Sequence, residues 1–250
     1  MKKVTSINLL LVLACISNQP AVSLYAEEKQ SIQEVQDDKQ EKHLFIFSGQ
    51  SNMSRFKPDK VFQPIVEREF GKDNVVIVKD AKGGKPIRRW YKNWKSAEGE
   101  APREPNGDLY DSLKAKIDKA LRNQKVNTVT FIWMQGEADA KEKHGEVYLA
   151  SLKGLVDQLC NDLERQEINV ICGRLSDHGL KKKHWVMIRK AQVQFAESQA
   201  RGAWVNTDDL NDGPDGQGRV RHNALHYSVE GYKILGKRYA EKAIALIRNE

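Results

Sequence analysis

The fold is indicated most clearly by the segment Leu44-Phe45-Ile46-Phe47-Ser48-Gly49-Gln50-Ser51-Asn52-Met53. Its first four residues are apolar, which is typical of a β-strand buried on both faces. The next residues are small or polar, as at a turn from a strand into a helix. Four further apolar stretches predict strands at 75–78, 129–134, 168–172 and 203–206.

Longer amphipathic segments separate these strands. In segment 109–123, Leu113, Ile117 and Leu121 recur at the spacing of one helix face. The other predicted helices cover residues 61–70, 148–165, 185–200 and 229–247. Strands that alternate with helices indicate an α/β protein, here a three-layer α/β/α sandwich around a mainly parallel five-stranded sheet.

The first 26 residues are typical of a secretory signal peptide. Lys2 and Lys3 precede an apolar core at 7–16, which is too short to span a bilayer. We expect cleavage after Ala26 and export to the periplasm or the extracellular space. The alternative is a lipoprotein signal, in which Cys15 carries the lipid.

Residues 27–41 are almost wholly polar and predict a linker before one domain at 42–250. The chain is 40% hydrophobic and 30% charged, as in globular proteins, which excludes disorder and membrane classes for the bulk of the chain. Loss of Lys2 and Lys3 with the signal reduces 41 basic residues to 39, against 34 acidic ones, for a net charge of +5. A balance this modest predicts no nucleic-acid partner.

Cysteine and histidine usage predicts neither a metal site nor an organic cofactor, because no cluster has the spacing of metal ligands. Export permits a disulfide between Cys160 and Cys172. Cysteine is often buried without forming a disulfide, so we predict that both thiols are free.

Candidate reactive residues follow the predicted strands, where parallel sheets bind ligands. Ser51 would occupy the strand-to-helix turn as a nucleophile whose own N–H begins an oxyanion hole, or else serve as a helix cap. Gly83 and Gly84 follow the second strand and would bring a backbone N–H to a bound group or form a simple turn. Gln135 and Glu137 follow the third strand with an amide and a carboxylate.

His226 lies just before the last predicted helix, where a loop histidine can act as general base or have a purely structural role. With Ser51 near the start of the domain and His226 near its end, the chain has the residue order of a serine hydrolase. The nucleophile elbow of α/β-hydrolases needs glycine two residues after the serine, where this chain has Met53. That fold is therefore disfavoured.

Together these motifs resemble the SGNH-hydrolase superfamily, and most closely its branch of sialate O-acetylesterases and acetylxylan esterases. The resemblance extends over roughly residues 43–245. It implies a flavodoxin-like fold, with Ser51 as nucleophile and an oxyanion hole formed by Ser51, Gly84 and Gln135. The implied activity is that of a secreted serine esterase whose substrate is an acetylated carbohydrate, such as sialic acid, xylan or another glycan.

One position departs from the family pattern. The family places Asp three residues before the catalytic histidine, where this chain has Asn223. An amide can orient the ring of His226 but supplies no negative charge. Glu137, with Asn223 assisting, is therefore our preferred acid partner; the alternatives are Asn223 alone, Asp208 or Asp209, or a domain that has lost much of its activity.

Two further functions stay open at this point. One is a carbohydrate-binding domain that kept the fold and lost turnover, for which Asn223 is the main support. The other is a related esterase that acts on lipid or aryl esters.

Overall fold

The computed structural model describes residues 41–97, 105–122 and 124–249. The predicted signal peptide with Cys15, residues 27–40 of the predicted linker, and Asn123 lie outside this range. Within it, no helix is both long and apolar enough to cross a membrane.

Five strands form one sheet in the order β2-β1-β3-β4-β5, and every neighbouring pair is parallel. Their bounds are β1 His43–Gly49, β2 Val75–Ala81, β3 Thr128–Met134, β4 Asn169–Gly173 and β5 Gly202–Val205. The predicted parallel sheet is confirmed, and no strand end differs from its expected place by more than about three residues.

Seven helices accompany the sheet in the described residues. They are α1 Ser51–Arg55, α2 Phe62–Phe70, α3 Asp108–Leu121, α4 Glu137–Lys141, α5 Gly145–Asp162, α6 Lys183–Ser198 and α7 Val229–Arg248. The five long helices match the predicted segments. The short helices α1 and α4, and an antiparallel hairpin of β6 Gly213–Pro214 with β7 Val220–Arg221, were not predicted, because elements this short show no sequence periodicity.

Helices cover both faces of the sheet. Phe47 of β1 packs edge-on against Phe62 of α2, with ring centroids 4.8 Å apart. Phe47 lies in register with Ile132 of β3, so Trp133 points to the opposite face. There the Trp133 Nε1–H donates to the Tyr148 hydroxyl of α5 at 3.1 Å. Since α7 packs on α2 and α6 on α5, the predicted three-layer sandwich is confirmed.

The carboxyl ends of β2, β1 and β3 meet closely at Gly49. Its φ is +139°, and a Cβ there would lie 2.0 Å from the Met134 carbonyl oxygen. The Gln50 N–H donates to that oxygen at 2.9 Å, and the Lys82 N–H donates to the Gly49 carbonyl at 3.0 Å. Glycine at this position therefore lets the three following loops converge.

Both cysteines in the described residues are free, as predicted. Cys172 is buried on β4, and burial raises the pKa of its thiol to about 12. Cys160 lies half-buried on α5.

Candidate active site

Ser51 and His226 meet at the carboxyl edge of the sheet. Ser51 is the first residue of α1, and His226 lies two residues before the capping serine of α7. His226 Nε2 and Ser51 Oγ are 3.1 Å apart. A neutral imidazole at this distance can remove the hydroxyl proton as a general base.

The loop of His226 is held by the start of α7. Ser228 caps this helix by accepting a hydrogen bond from the Gly231 N–H at 2.9 Å. The Ser228 N–H itself donates to the Leu210 carbonyl at 2.9 Å. A Cβ at Gly231 would lie 2.0 Å from that same carbonyl, so the helix start packs tightly against the segment before the hairpin.

The surroundings of His226 favour the neutral form of its ring. Burial lowers the pKa of His226, and the nearby Arg55 and His178 lower it further. Among the described residues, no carboxylate forms a hydrogen bond or ion pair with the ring. A neutral ring suits a proton acceptor, and an imidazolium formed there would have no carboxylate bonded to it among the described residues.

Among the described residues, no hydrogen bond or ion pair joins Glu137 to His226, and Asn52 bonds to Glu137 instead. The Asn52 amide nitrogen donates to Glu137 Oε1 at 3.0 Å and to the Leu225 carbonyl at 3.1 Å. The Asn52 oxygen accepts a hydrogen bond from the Tyr232 hydroxyl at 2.9 Å. Glu137 therefore reaches the histidine loop only through Asn52, and the direct contact that we expected is not formed.

The carboxyl of Glu137 is buried, and its Oε2 has no hydrogen-bond partner among the residues that the structure describes. Burial raises the pKa of Glu137 to about 7, although the hydrogen bond from Asn52 opposes this shift. Asn52 was not predicted as a site residue. The sequence feature that could have identified Asn52 is a polar residue next to Ser51, at a turn that has to pack against two other loops.

Asn223 likewise forms no hydrogen bond with His226 among the described residues. Its φ of 42° is left-handed, and its side-chain oxygen accepts a hydrogen bond from Asn211 at 3.2 Å. The Asn223 carbonyl oxygen lies 2.7 Å from Nδ1 of His178. Asn223 thus fixes the loop to its neighbours, and the assisting contact that we expected is not formed.

The two alternative acids are engaged elsewhere. Asp208 forms ion pairs with Arg174 and Arg189, each at 2.7 Å. Asp209 pairs with Arg238 at 2.7 Å. The identity of an acid partner for His226 stays a prediction.

Two backbone N–H groups close to Ser51 in the chain fold, those of Ser51 and Gly84, have no backbone acceptor among the described residues. The N–H of Ser51 has no intrahelical acceptor, since it opens α1. The Gly83-Gly84 turn lies next to it, because a Cβ at Gly83 would be 3.7 Å from Ser51 Cβ. Gly84 has a φ of +69°, and a Cβ added there would meet no atom within 4 Å. These two donors suit an oxyanion.

Gln135 does not extend into this space. Its amide nitrogen donates to Asp139 Oδ2 at 2.6 Å and to the Lys85 carbonyl at 3.1 Å. The buried Asp139, one helical turn further on, is a strong acceptor and draws the amide inward. Asp139 also accepts from the Ile87 N–H at 2.8 Å. In this geometry Gln135 connects the second loop to the third, and its role as an oxyanion donor stays a prediction.

A cavity of about 470 Å³ opens beside His226. Its lining includes Arg55, Tyr232 and Leu225 on one side, and Asp215, Arg219 and Arg221 of the hairpin segment. In the described part of the chain, no group of three or more His, Cys, Asp or Glu side chains is placed to hold a metal ion.

The sequence of residues 54–245 matches the family described as carbohydrate esterase, sialic acid-specific acetylesterase. The match begins three residues after Ser51. No curated protein shows significant similarity to the sequence.

The fold is similar to that of a protein from Arabidopsis thaliana, with a TM-score of 0.62, 17% identity, and coverage of 84% of this chain and 99% of that one. For NanS the TM-score is 0.61, with 15% identity and coverage of 84% and 99%. For a carbohydrate acetylesterase from Xanthomonas citri the TM-score is 0.59, with 15% identity and coverage of 83% and 56%. At these identities the similarity shows a shared fold alone, the three-layer α/β/α architecture that the sequence predicted.

Proposed function

Because this chain belongs to the carbohydrate esterase family of sialic acid-specific acetylesterases, we propose that it is a serine esterase that removes O-acetyl groups from carbohydrate hydroxyls. The observation that carries this proposal is the 3.1 Å contact between His226 Nε2 and Ser51 Oγ. It lies where parallel sheets bind ligands, beside two backbone N–H groups that have no acceptor among the described residues.

In the first half-reaction, Ser51 Oγ attacks the acetyl carbonyl carbon while His226 Nε2 takes the hydroxyl proton. The carbonyl oxygen becomes an oxyanion that accepts hydrogen bonds from the N–H groups of Ser51 and Gly84. One such donor typically contributes about 3 kcal/mol of transition-state stabilisation. The bond to the sugar oxygen then breaks, and His226 returns its proton to that oxygen.

In the second half-reaction, water attacks the acetyl-serine. His226 takes a proton from the water and then gives it to Ser51 Oγ as acetate leaves. Glu137 acts here as a positioning residue, since Asn52 links its carboxylate to the Leu225 carbonyl next to His226. The Ser51–His226 pair then performs the proton transfers without an acidic side chain hydrogen-bonded to His226.

A non-catalytic carbohydrate-binding domain is the second candidate function. It is favoured by one observation, the lack of a carboxylate partner for His226 among the described residues. Hydrolysis of 4-nitrophenyl acetate separates the two functions. Turnover by the parent that is abolished in Ser51→Ala supports the esterase, whereas equal rates in parent and variant would overturn it.

The substrate sugar and the acyl group need a separate measurement. Acetate released from acetylated sialic acid, xylan and other glycans would identify the sugar. Faster hydrolysis of long-chain or aryl esters than of any acetylated glycan would instead indicate a lipid or aryl esterase.

We place the mature protein outside the cytoplasm, on the strength of residues 1–26. Mass spectrometry of the exported protein tests this. A chain that begins at Glu27 supports cleavage after Ala26, whereas one that begins with a lipid-modified Cys15 supports the lipoprotein alternative.

A further inference from the structure

The loop that contains Gly83 and Gly84 is held at its two ends. It comprises residues 82–87, directly after β2, and we refer to it as the glycine loop. At its start, the Lys82 N–H donates to the Gly49 carbonyl at 3.0 Å. Between the ends, a Cβ added at Gly84 would meet no atom within 4 Å, and glycine leaves the backbone unusually free. The two ends of the loop therefore decide where the Gly84 N–H lies.

The second end of the glycine loop is held by one carboxylate. Asp139 Oδ2 accepts hydrogen bonds from the Ile87 N–H at 2.8 Å and from the Gln135 amide nitrogen at 2.6 Å. The same amide nitrogen donates to the Lys85 carbonyl at 3.1 Å and to Gln50 Oε1 at 3.2 Å. An amide nitrogen has only two hydrogens for these three acceptors, and its shortest contact is the one to the carboxylate. Asp139 is therefore the main acceptor at this end of the loop.

The carboxylate of Asp139 lies in an environment that disfavours its charge. Asp139 is fully buried on α4, and its Oδ1 has no hydrogen-bond partner among the described residues. Burial raises the pKa of Asp139 to about 7, although the hydrogen bonds from Gln135 and from the Ile87 N–H oppose this shift. Buried groups with perturbed pKa values are concentrated at functional sites. What the charge provides here is strength, because hydrogen bonds to an ionised acceptor are about twice as strong as neutral ones.

We propose that Asp139 is a positioning residue for ester hydrolysis, whose carboxylate holds the glycine loop so that the Gly84 N–H meets the developing oxyanion. This inference rests on the proposed esterase function and adds to it a residue that acts on the reaction only through the loop. An oxyanion donor is effective only when it is already in place as the charge develops. Loss of the Asp139 charge should therefore slow the reaction and leave binding of the substrate unchanged.

Two substitutions weaken the anchor, and a third serves as the matched control. Asp139→Asn keeps the shape of the side chain and removes its charge. Gln135→Met keeps the length of the side chain and removes the amide that donates to Asp139 and to the Lys85 carbonyl. The control is Thr130→Val, because Thr130 is also fully buried on β3 and its hydroxyl accepts only a hydrogen bond from the Asn169 amide, at 3.2 Å. All measurements are made at about pH 8.5, above the pKa of Asp139.

The first measurement is the mobility of the Gly84 N–H by nitrogen-15 NMR relaxation, which needs no substrate. We expect an order parameter of about 0.85 in the parent and in Thr130→Val, and below about 0.6 in Asp139→Asn and in Gln135→Met. A Gly84 N–H that is as mobile in the parent as in the variants, or as rigid in the variants as in the parent, would show that Asp139 does not hold the loop. If Asp139→Asn does not fold, the parent and Gln135→Met decide.

The second measurement is turnover of 4-nitrophenyl acetate, together with inactivation by diethyl 4-nitrophenyl phosphate, which is attacked by Ser51 at phosphorus. We expect Asp139→Asn to lower kcat and kcat/KM alike, by about tenfold or more, because the donor acts on the transition state. The rate constant of inactivation should fall in parallel. Thr130→Val should stay within about twofold of the parent in all three quantities.

The outcomes separate this proposal from the esterase function. A kcat of Asp139→Asn within about threefold of the parent, although its Gly84 N–H has become mobile, would overturn the role of Asp139 in the reaction. The same holds for a change confined to KM. If the parent neither hydrolyses acetyl esters nor reacts with the phosphate ester, the esterase function itself is refuted, and the NMR result then leaves Asp139 as a purely structural anchor of the loop.

Discussion

Replacement of Glu137 by Gln should make the protein's stability less sensitive to pH. The Glu137 carboxyl is buried, its Oε2 has no hydrogen-bond partner, and its pKa is raised from 4.5 to about 7, mainly by burial. The folded state therefore holds a proton on Glu137 over a pH range in which the unfolded state has released it. A neutral amide removes this difference.

The sign follows from proton linkage. A raised folded-state pKa contributes stability below pH 4.5, and this contribution is lost as the pH rises through about 7. At 1.36 kcal/mol per pKa unit, a rise from 4.5 to about 7 corresponds to a loss of about 3 kcal/mol by pH 8. Relative to the parent, Glu137→Gln should thus gain about 3 kcal/mol of unfolding free energy between pH 4 and pH 8. The structural cost of the amide is constant over this range and cancels.

Urea unfolding followed by circular dichroism, at half-unit steps from pH 4 to pH 8, measures this difference. Glu241→Gln is the matched control, because Glu241 is exposed on α7 and should give parallel curves with the parent. If the difference in unfolding free energy between Glu137→Gln and the parent stays constant within about 0.5 kcal/mol, the view that burial raises the pKa of Glu137 is refuted. This threshold is the usual effect of a surface substitution, about 0.5 kcal/mol.

Three further substitutions test the site. Ser51→Ala should leave folding intact and abolish hydrolysis of acetyl esters; activity within tenfold of the parent would exclude Ser51 as nucleophile. Gln135→Ala removes the amide that binds Asp139 and the Lys85 carbonyl. It should therefore cost about 1–3 kcal/mol of unfolding free energy and also lower kcat. A fall in kcat at unchanged thermal stability would instead indicate that Gln135 is a direct oxyanion donor. Asn52→Ala breaks the link between Glu137 and the histidine loop, and kcat should fall about tenfold with little change in KM; unchanged kcat would exclude a positioning role.

Sequence patterns were sufficient to predict the sheet and its helices. Buried parallel strands have to be apolar on both faces, so 44–47 and its four counterparts stand out from the polar segments around them. The turn after β1 could also be predicted from the sequence, because small and polar residues are needed directly after a strand where loops converge. The short helices α1 and α4 escaped prediction, since five residues contain little more than one turn.

The residue pattern alone places Ser51 after the first strand and His226 before the last helix, and its apolar segments predict the sheet. The partners of these side chains follow only from the folded chain. Ser51 and His226 are 175 residues apart in sequence, and Asn52 and Glu137 are 85 apart. In the folded chain the Gln135 amide donates to Asp139. The Asn52 amide donates both to Glu137 and to the histidine loop. Such choices depend on distances across the folded loops, because hydrogen bonds act only over about 3 Å, and a residue pattern contains no distances of this kind.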